Sequence, residues 1–202
     1  HVLSGENIVF FRSKMKIQSN ESSTIKDKFN NVIRLNGFDY SIKTKILKTN
    51  QMELTDTDSN IYKSNNAIID LEGEKLATKD IQIYFAQGEL GGNARLKGSS
   101  LTSENNISII KNGIFTACKI RDGCPPWSLK SKEIKHDKTN KSINYSNSWL
   151  QLYDVPIFYF PKFFHPDPTV KRQSGFLTPS LLTSSTSGGS INVPYYKVIS
   201  EN

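Results

Sequence analysis

The sequence is short of the residues that build helices and of those that build active sites. Five alanines and two methionines in 202 residues are poor helix material. No run of 18 apolar residues occurs, which excludes a membrane-spanning helix. Cysteine is limited to Cys118 and Cys124, too few for a closed zinc site made of thiols. The three histidines are scattered. His136-Asp137 and His165-Pro166-Asp167 set a ring beside a carboxylate, but no metal-spaced ligand set follows, so a surface or hydrogen-bonded turn role is expected. Neither a Gly-x-Ser-x-Gly turn nor a phosphate-cradling loop is present, and no carboxylate pair stands out. The sequence therefore predicts no catalytic residue, no metal and no cofactor. Arginine is scarce, five of 26 basic residues, which speaks against a phosphate-reading surface and a nucleic-acid partner.

What is abundant points to strands. Aromatic residues reach 10% and mean hydropathy is −0.46, so the chain is neither an ordinary helical membrane protein nor disordered in composition. Short runs such as Val32-Ile33-Arg34-Leu35, Ala67-Ile68-Ile69-Asp70-Leu71 and Ile81-Gln82-Ile83-Tyr84-Phe85 alternate with turn signals at Asn36-Gly37, Glu72-Gly73, Gly91-Gly92 and Asn112-Gly113. Period-2 alternation at Ile81/Ile83/Phe85, Ile107/Ile109, Ile143/Tyr145 and Leu150/Leu152 marks strands with one buried face. The fold expected is all-β: a sandwich, barrel or jelly roll. The net charge is +7, but Lys and Asp/Glu alternate through residues 1–154, as on a solvated strand surface.

A short repeat recurs. Leu47-Lys48-Thr49-Asn50-Gln51-Met52, Leu96-Lys97-Gly98-Ser99-Ser100-Leu101 and Leu129-Lys130-Ser131-Lys132-Glu133-Ile134 share Leu-Lys-x-x-x-apolar. Each is followed by Asn, a small residue and an apolar one, at Asn66-Ala67-Ile68, Asn112-Gly113-Ile114 and Asn147-Ser148-Trp149. Stacked units of this kind bury a shared interior.

Composition changes near residue 154. Beyond it the charge thins and six of the eight prolines appear. Asp154 to Phe164 is crowded with aromatics, and two long strands are expected from Gly175 to Ile199, joined at Thr186-Ser187-Gly188-Gly189. Two segments follow: 1–154 and 155–202. The aromatic stretch suits either a core or a membrane interface. The start at His1, with no signal peptide before it, reads as a fragment or processed chain. Cys118 and Cys124 admit a local disulfide worth about 2 kcal/mol of loop entropy, two reduced thiols, or bonds to cysteines elsewhere.

Residues 114–196 carry a resemblance. Phe115-Thr116-Ala117-Cys118, Trp127-Ser128-Leu129-Lys130-Ser131, Tyr153-Asp154-Val155-Pro156-Ile157-Phe158-Tyr159-Phe160-Pro161, His165-Pro166-Asp167-Pro168-Thr169-Val170-Lys171-Arg172-Gln173-Ser174-Gly175-Phe176-Leu177-Thr178-Pro179 and Pro194-Tyr195-Tyr196 resemble the LptD (OstA, organic solvent tolerance) family of lipopolysaccharide (LPS) assembly proteins, in a form like that of alphaproteobacterial members. The resemblance implies an OstA-type β-jelly roll in the periplasm over residues 1–154. Residues 155–202 are then the connector and first hairpin of an outer-membrane β-barrel. It implies LPS as cargo, an LptA-like or LptC-like periplasmic bridge protein and an LptE-like lipoprotein plug as partners, and no enzymatic activity.

Under that resemblance the apolar face becomes a lipid groove, and parity selects Ile81, Ile83, Phe85, Ile107, Ile109, Ile134, Ile143 and Tyr145 as its lining. Pro179 and Pro194 match family prolines that weaken strand pairing at a lateral gate. Cys118 matches a cysteine that bonds beyond the barrel's C-terminal end, whereas Cys124 departs from that pattern. A docking jelly roll without lipid passage, or a glycan-active β-solenoid enzyme with paired carboxylates, are the other functional classes.

Overall fold

The computed structural model describes residues 2–86, 93–118, 126–167, 174–176, 180–184, 188–192 and 194–199. One antiparallel sheet dominates. Its strands are β1 (Val2–Gly5), β2 (Val9–Phe11), β3 (Lys16–Lys26), β4 (Val32–Ser41), β5 (Ile46–Thr55), β6 (Ile61–Asp70), β7 (Lys75–Tyr84), β8 (Arg95–Glu104), β9 (Ile107–Thr116), β10 (Trp127–Asp137), β11 (Ser142–Leu152) and β12 (Val155–Pro166). Consecutive strands from β3 to β12 are hydrogen-bonded neighbours, while β1 and β2 pair with opposite halves of β3. Apart from a single 3-10 turn at Arg12–Lys14, no helix occurs among the described residues. The all-β jelly-roll expectation holds, in the form of an open sheet folded upon itself.

The hairpin turns are written locally. Asp27 Oδ1 accepts the Phe29 and Asn31 N–H groups at 2.8 and 2.9 Å, and Asp56 Oδ1 accepts those of Asp58 and Asn60 at 3.1 and 2.9 Å. Asp70 and Asp137 do the same for Gly73 and Asn140. An aspartate that opens each turn holds the backbone in the reversal the next strand needs.

What folds the sheet is an extra residue placed at one level in each strand from β4 to β11. Inward side chains, buried or half-buried, fall at positions 0, 2, 5 and 7 of a shared pattern: Ile33, Leu35, Phe38 and Tyr40 in β4; Tyr62, Ser64, Ala67 and Ile69 in β6; Leu129, Ser131, Ile134 and His136 in β10; Ile143, Tyr145, Ser148 and Leu150 in β11. β5, β7, β8 and β9 follow it from Leu47, Leu76, Leu96 and Ser108. Between positions 2 and 5 the period of 2 slips by one residue, as at a β-bulge. Partner strands slip together, so Leu35↔Met52 and Phe38↔Thr49 keep one register across the slip. The result is a fold line across the sheet. In five strands the residue before position 5 has positive φ: Gly37 (70°), Asn66 (50°), Asp80 (50°), Asn112 (48°) and Asn147 (52°), residue types that tolerate it best. The Leu-Lys-x-x-x-apolar and Asn-small repeats are this fold line as it appears in sequence.

The two halves of each strand face each other across the fold. Phe115, in one half of β9, packs its ring 6.1 Å from Tyr145 and 4.7 Å from the ring of His165, which belong to the opposite half of the sheet. Two apolar clusters run along the roll, Ile25 to Ile69 and Tyr62 to Leu150, and share Leu54 and Leu76 at their border.

Two predicted inward residues are misplaced. Ile107 and Ile109 lie on the outer face, and Ser108 and Ile110 point inward. The alternation misled because the inward position at 108 is polar: Ser108 Oγ donates to Ser103 Oγ at 2.9 Å, a satisfied pair at the end of the strand.

The fold line is packed without slack. A Cβ at Gly98 would collide with Ile110 Cγ2 and lie 3.2 Å from the Lys111 carbonyl oxygen. Gly98→Ala is expected to destabilise the roll by about 1–3 kcal/mol, read as a lowered denaturant midpoint. Gly113→Ala, whose Cβ meets the mobile tip of Ile134, is expected to cost less.

Candidate functional site

The roll's interior is the candidate site. Of the eight residues chosen from sequence, Ile81, Ile83, Phe85, Ile134, Ile143 and Tyr145 lie inside it, none more than 3% exposed; Ile107 and Ile109 do not. Sequence parity missed Leu96, Leu101, Ile110, Phe115, Trp127 and Leu129, all buried in the same cluster. The 0, 2, 5, 7 spacing is the signal that finds all of these but Trp127, which precedes position 0 of β10 by two residues.

The interior continues onto the edge strand. Phe160 and Phe163 of β12 pair in register with Ser148 and Tyr145, on inward rows. Ring centroids step from Phe158 to Phe160 at 4.7 Å, to Phe163 at 5.2 Å and on to Tyr145 at 5.8 Å. Phe158 shares a row with the buried Leu150 yet is 56% exposed. The aromatic ladder thus leads from the core to an open mouth.

At the other end of β12 the interior is closed by polar groups. The Tyr145 hydroxyl lies 2.6 Å from His165 Nε2, and His165 Nδ1 lies 2.5 Å from the Pro166 carbonyl oxygen. A carbonyl only accepts, so Nδ1 carries the proton and Nε2 accepts from the tyrosine. Burial lowers the His165 pKa to about 4 and raises that of Tyr145 well above its ordinary value, the latter helped by the negative charge of Asp167. Asp167 in turn bonds His136 Nε2, and its backbone N–H donates to the Lys141 carbonyl oxygen at 2.9 Å. Beside them Asp56 gathers the Tyr62 hydroxyl at 3.1 Å and Lys138 Nζ at 2.9 Å. Both internal histidines are therefore buried and hydrogen-bonded, so of the surface or hydrogen-bonded turn role expected of them the surface alternative is corrected: the His165-Pro166-Asp167 motif ties the end of β12 into the core.

Further carboxylates gather on the outer face. An open cleft of about 860 Å³ is lined by Glu6, Glu21, Glu53 and Asp80 together with Arg34 and Lys63. Glu53 is bound by Lys63 and Arg34, and the Lys63 hydrogen bond above all lowers its pKa. A glycosidase acid needs the opposite shift. Among the described residues no group of three or more His, Cys, Asp or Glu is placed to hold a metal.

Cys118 is a half-buried free thiol, its Sγ 3.7 Å from the Trp127 carbonyl oxygen; Cys124 lies outside the described residues. Beyond β12 the chain forms a hairpin registered in two pieces. β13 (Gly175–Phe176) pairs with β16 (Tyr195–Tyr196), and β14 (Ser180–Ser184) pairs with β15 (Gly188–Asn192). Pro194 is half-buried and sits in the gap between the pieces, outside either ladder. Pro179 lies outside the described residues.

No family model matches the chain. Among individual proteins it is 31% identical over 156 residues to the LPS-assembly protein LptD of Shewanella denitrificans, covering 74% of this chain and 20% of that protein. It is 33% identical over 150 residues to the protein of the same name from Escherichia coli K12, covering 71% and 19%. To that of Ectopseudomonas mendocina it is 36% identical over 112 residues, covering 54% and 12%. The chain spans about a fifth of the length of the first of these relatives.

The buried histidine makes stability depend on pH. Its folded pKa of about 4 lies below the ordinary 6.5, so the unfolded chain takes up the proton first as pH falls. The stabilisation is full above about 6.5 and is lost as pH drops toward about 4, up to about 3 kcal/mol. Denaturant midpoints measured between pH 7.5 and 4.5 are expected to fall steeply, and His165→Gln, which keeps an acceptor for Tyr145, to flatten that slope.

Proposed function

From the premise that this is an LptD-like chain spanning about a fifth of its relatives, we propose that it is the lipid-receiving part of an outer-membrane LPS-assembly protein. The roll, periplasmic in this reading, runs through β12, so the boundary expected at 154 moves to the end of that strand, and the segment beyond it to residue 202 holds the connector and first strands of the barrel. The observation that carries the reading is the largely apolar interior, two clusters that meet at Leu54 and Leu76 and run from Ile25 at one end to the aromatic ladder ending at Phe158. An acyl chain of about 12 carbons gains on the order of 10 kcal/mol on leaving water, at about 0.8 kcal/mol per methylene. Lipid crossing an aqueous gap needs such an interior, with its sugars and phosphates left outside. The halves are closed on one another, so acyl chains enter by parting them on the side away from the fold line. The part is a conduit and not an enzyme.

The partners follow from the two ends. At β1 and β2 the sheet edge is broken into two short strands, and Val2, Val9, Phe10 and Phe11 are exposed there. This is the edge to which an LptA-like or LptC-like bridge protein adds its own strand. At the far end the two-piece hairpin with Pro194 in its gap supports the lateral gate, since proline has no N–H to give to a ladder; Pro179, outside the described residues, is the second proline of that gate in this reading, and an LptE-like lipoprotein plugs the barrel. Cys118 pairs with a cysteine beyond this segment.

Photo-crosslinking residues at Ile83, Ile134 and Phe158 of the full-length protein, in cells making LPS, are expected to give LPS adducts, with none at outward Thr102 and Lys63. Adducts at neither set would leave a docking roll without lipid passage. Pro194→Val is expected to strengthen pairing at the gate and lower surface LPS several-fold, read by surface labelling and by sensitivity to large antibiotics.

A further inference from the structure

The outer face of the roll is not uniform. Along one cross-strand row at the N-terminal side the basic residues Arg34 and Lys63 are both bound to Glu53. On the C-terminal strands Lys97, Lys130, Lys132 and Lys162 make no ion pair among the described residues. One cross-strand row exposes the change. From β8 to β12 it reads Lys97, Ile114, Lys130, Trp149, Tyr159, each opposite the next. Ile114, Trp149 and Tyr159 are exposed on it, with the Trp149 and Tyr159 rings 5.1 Å apart. The Tyr159 hydroxyl donates to Asn147 Oδ1 at 2.7 Å.

We propose that this face, the outer side of β8–β12, rests on the headgroup region of a phospholipid leaflet. Three features select that partner. Trp and Tyr carry an apolar body with a polar edge, the chemistry that collects at a bilayer surface. Lys97 and Lys130, which alternate with the apolar residues of the row and make no ion pair among the described residues, complement anionic phosphate. β13, the start of the hairpin read as entering the membrane, packs beside β12, so the face adjoins the point where the chain reaches lipid. The inference rests on the outer-membrane reading above, and adds that the roll is oriented by its own side wall as well as by its tether.

The test places a benzophenone amino acid at Trp149 or Tyr159 of the full-length protein, aromatic for aromatic, in cells with labelled phospholipid. Arg34 and Lys63, on the same cross-strand row at the N-terminal side, are the controls, and Phe158 reports LPS passage. Phospholipid adducts at Trp149 and Tyr159 at least fivefold above the controls are expected. A combined Lys97→Glu, Lys130→Glu change is expected to reduce them several-fold. Adducts to protein instead would make the face a protein interface and overturn the proposal, as would signal no higher than at Arg34. LPS adducts at Phe158 without phospholipid at Trp149 sink this inference alone; their absence at Phe158 sinks the conduit reading.

Discussion

Everything in this molecule depends on where the strands change parity. A sheet with one apolar face and ten long strands cannot stay flat in water, because that face has nothing to lie against. Two sheets would solve this with a second set of strands. Here each strand supplies both layers, since one extra residue at a common level turns the inward face over and bends the backbone. The small inward residues beside the bend, Ala67, Gly98, Gly113 and Ser148, let the layers meet closely. Interior, mouth and outer face are all consequences of that line.

Much of this is written in the chain, though unevenly. The Asp-opened turns are local hydrogen-bonding chemistry and can be read residue by residue. Six of the eight groove candidates face inward because their alternation lies within one half-strand. Ile107 and Ile109 do not, since Ser103 and Ser108 satisfy each other inside the roll and polarity there ceases to mark the solvent side. The repeat around Leu47, Leu96 and Leu129 is visible in sequence, but its meaning is not: a parity slip is a three-dimensional event, and only the burial of position 5 beside position 2 identifies it. The histidines were illegible for a related reason. His165 looks like a turn residue next to two prolines, yet its partner Tyr145 is contributed by a different strand.

The two ends of β12 divide the labour of the edge. Toward Phe158 the strand is aromatic and open; toward Asp167 it is polar and bound. A buried neutral histidine, a tyrosine with a raised pKa and a paired aspartate make a rigid stop, because each would be costly to expose singly.

The shared 0, 2, 5, 7 spacing also separates two quantities that are coupled in most β folds. In a closed barrel, changing the number of strands changes the diameter. Here the cross-section is set within each strand, by the distance from its ends to the slip, while the length of the roll is set by how many strands are laid side by side. The molecule is built like an extrusion: hairpins written in the same spacing lengthen it while leaving its cross-section unchanged.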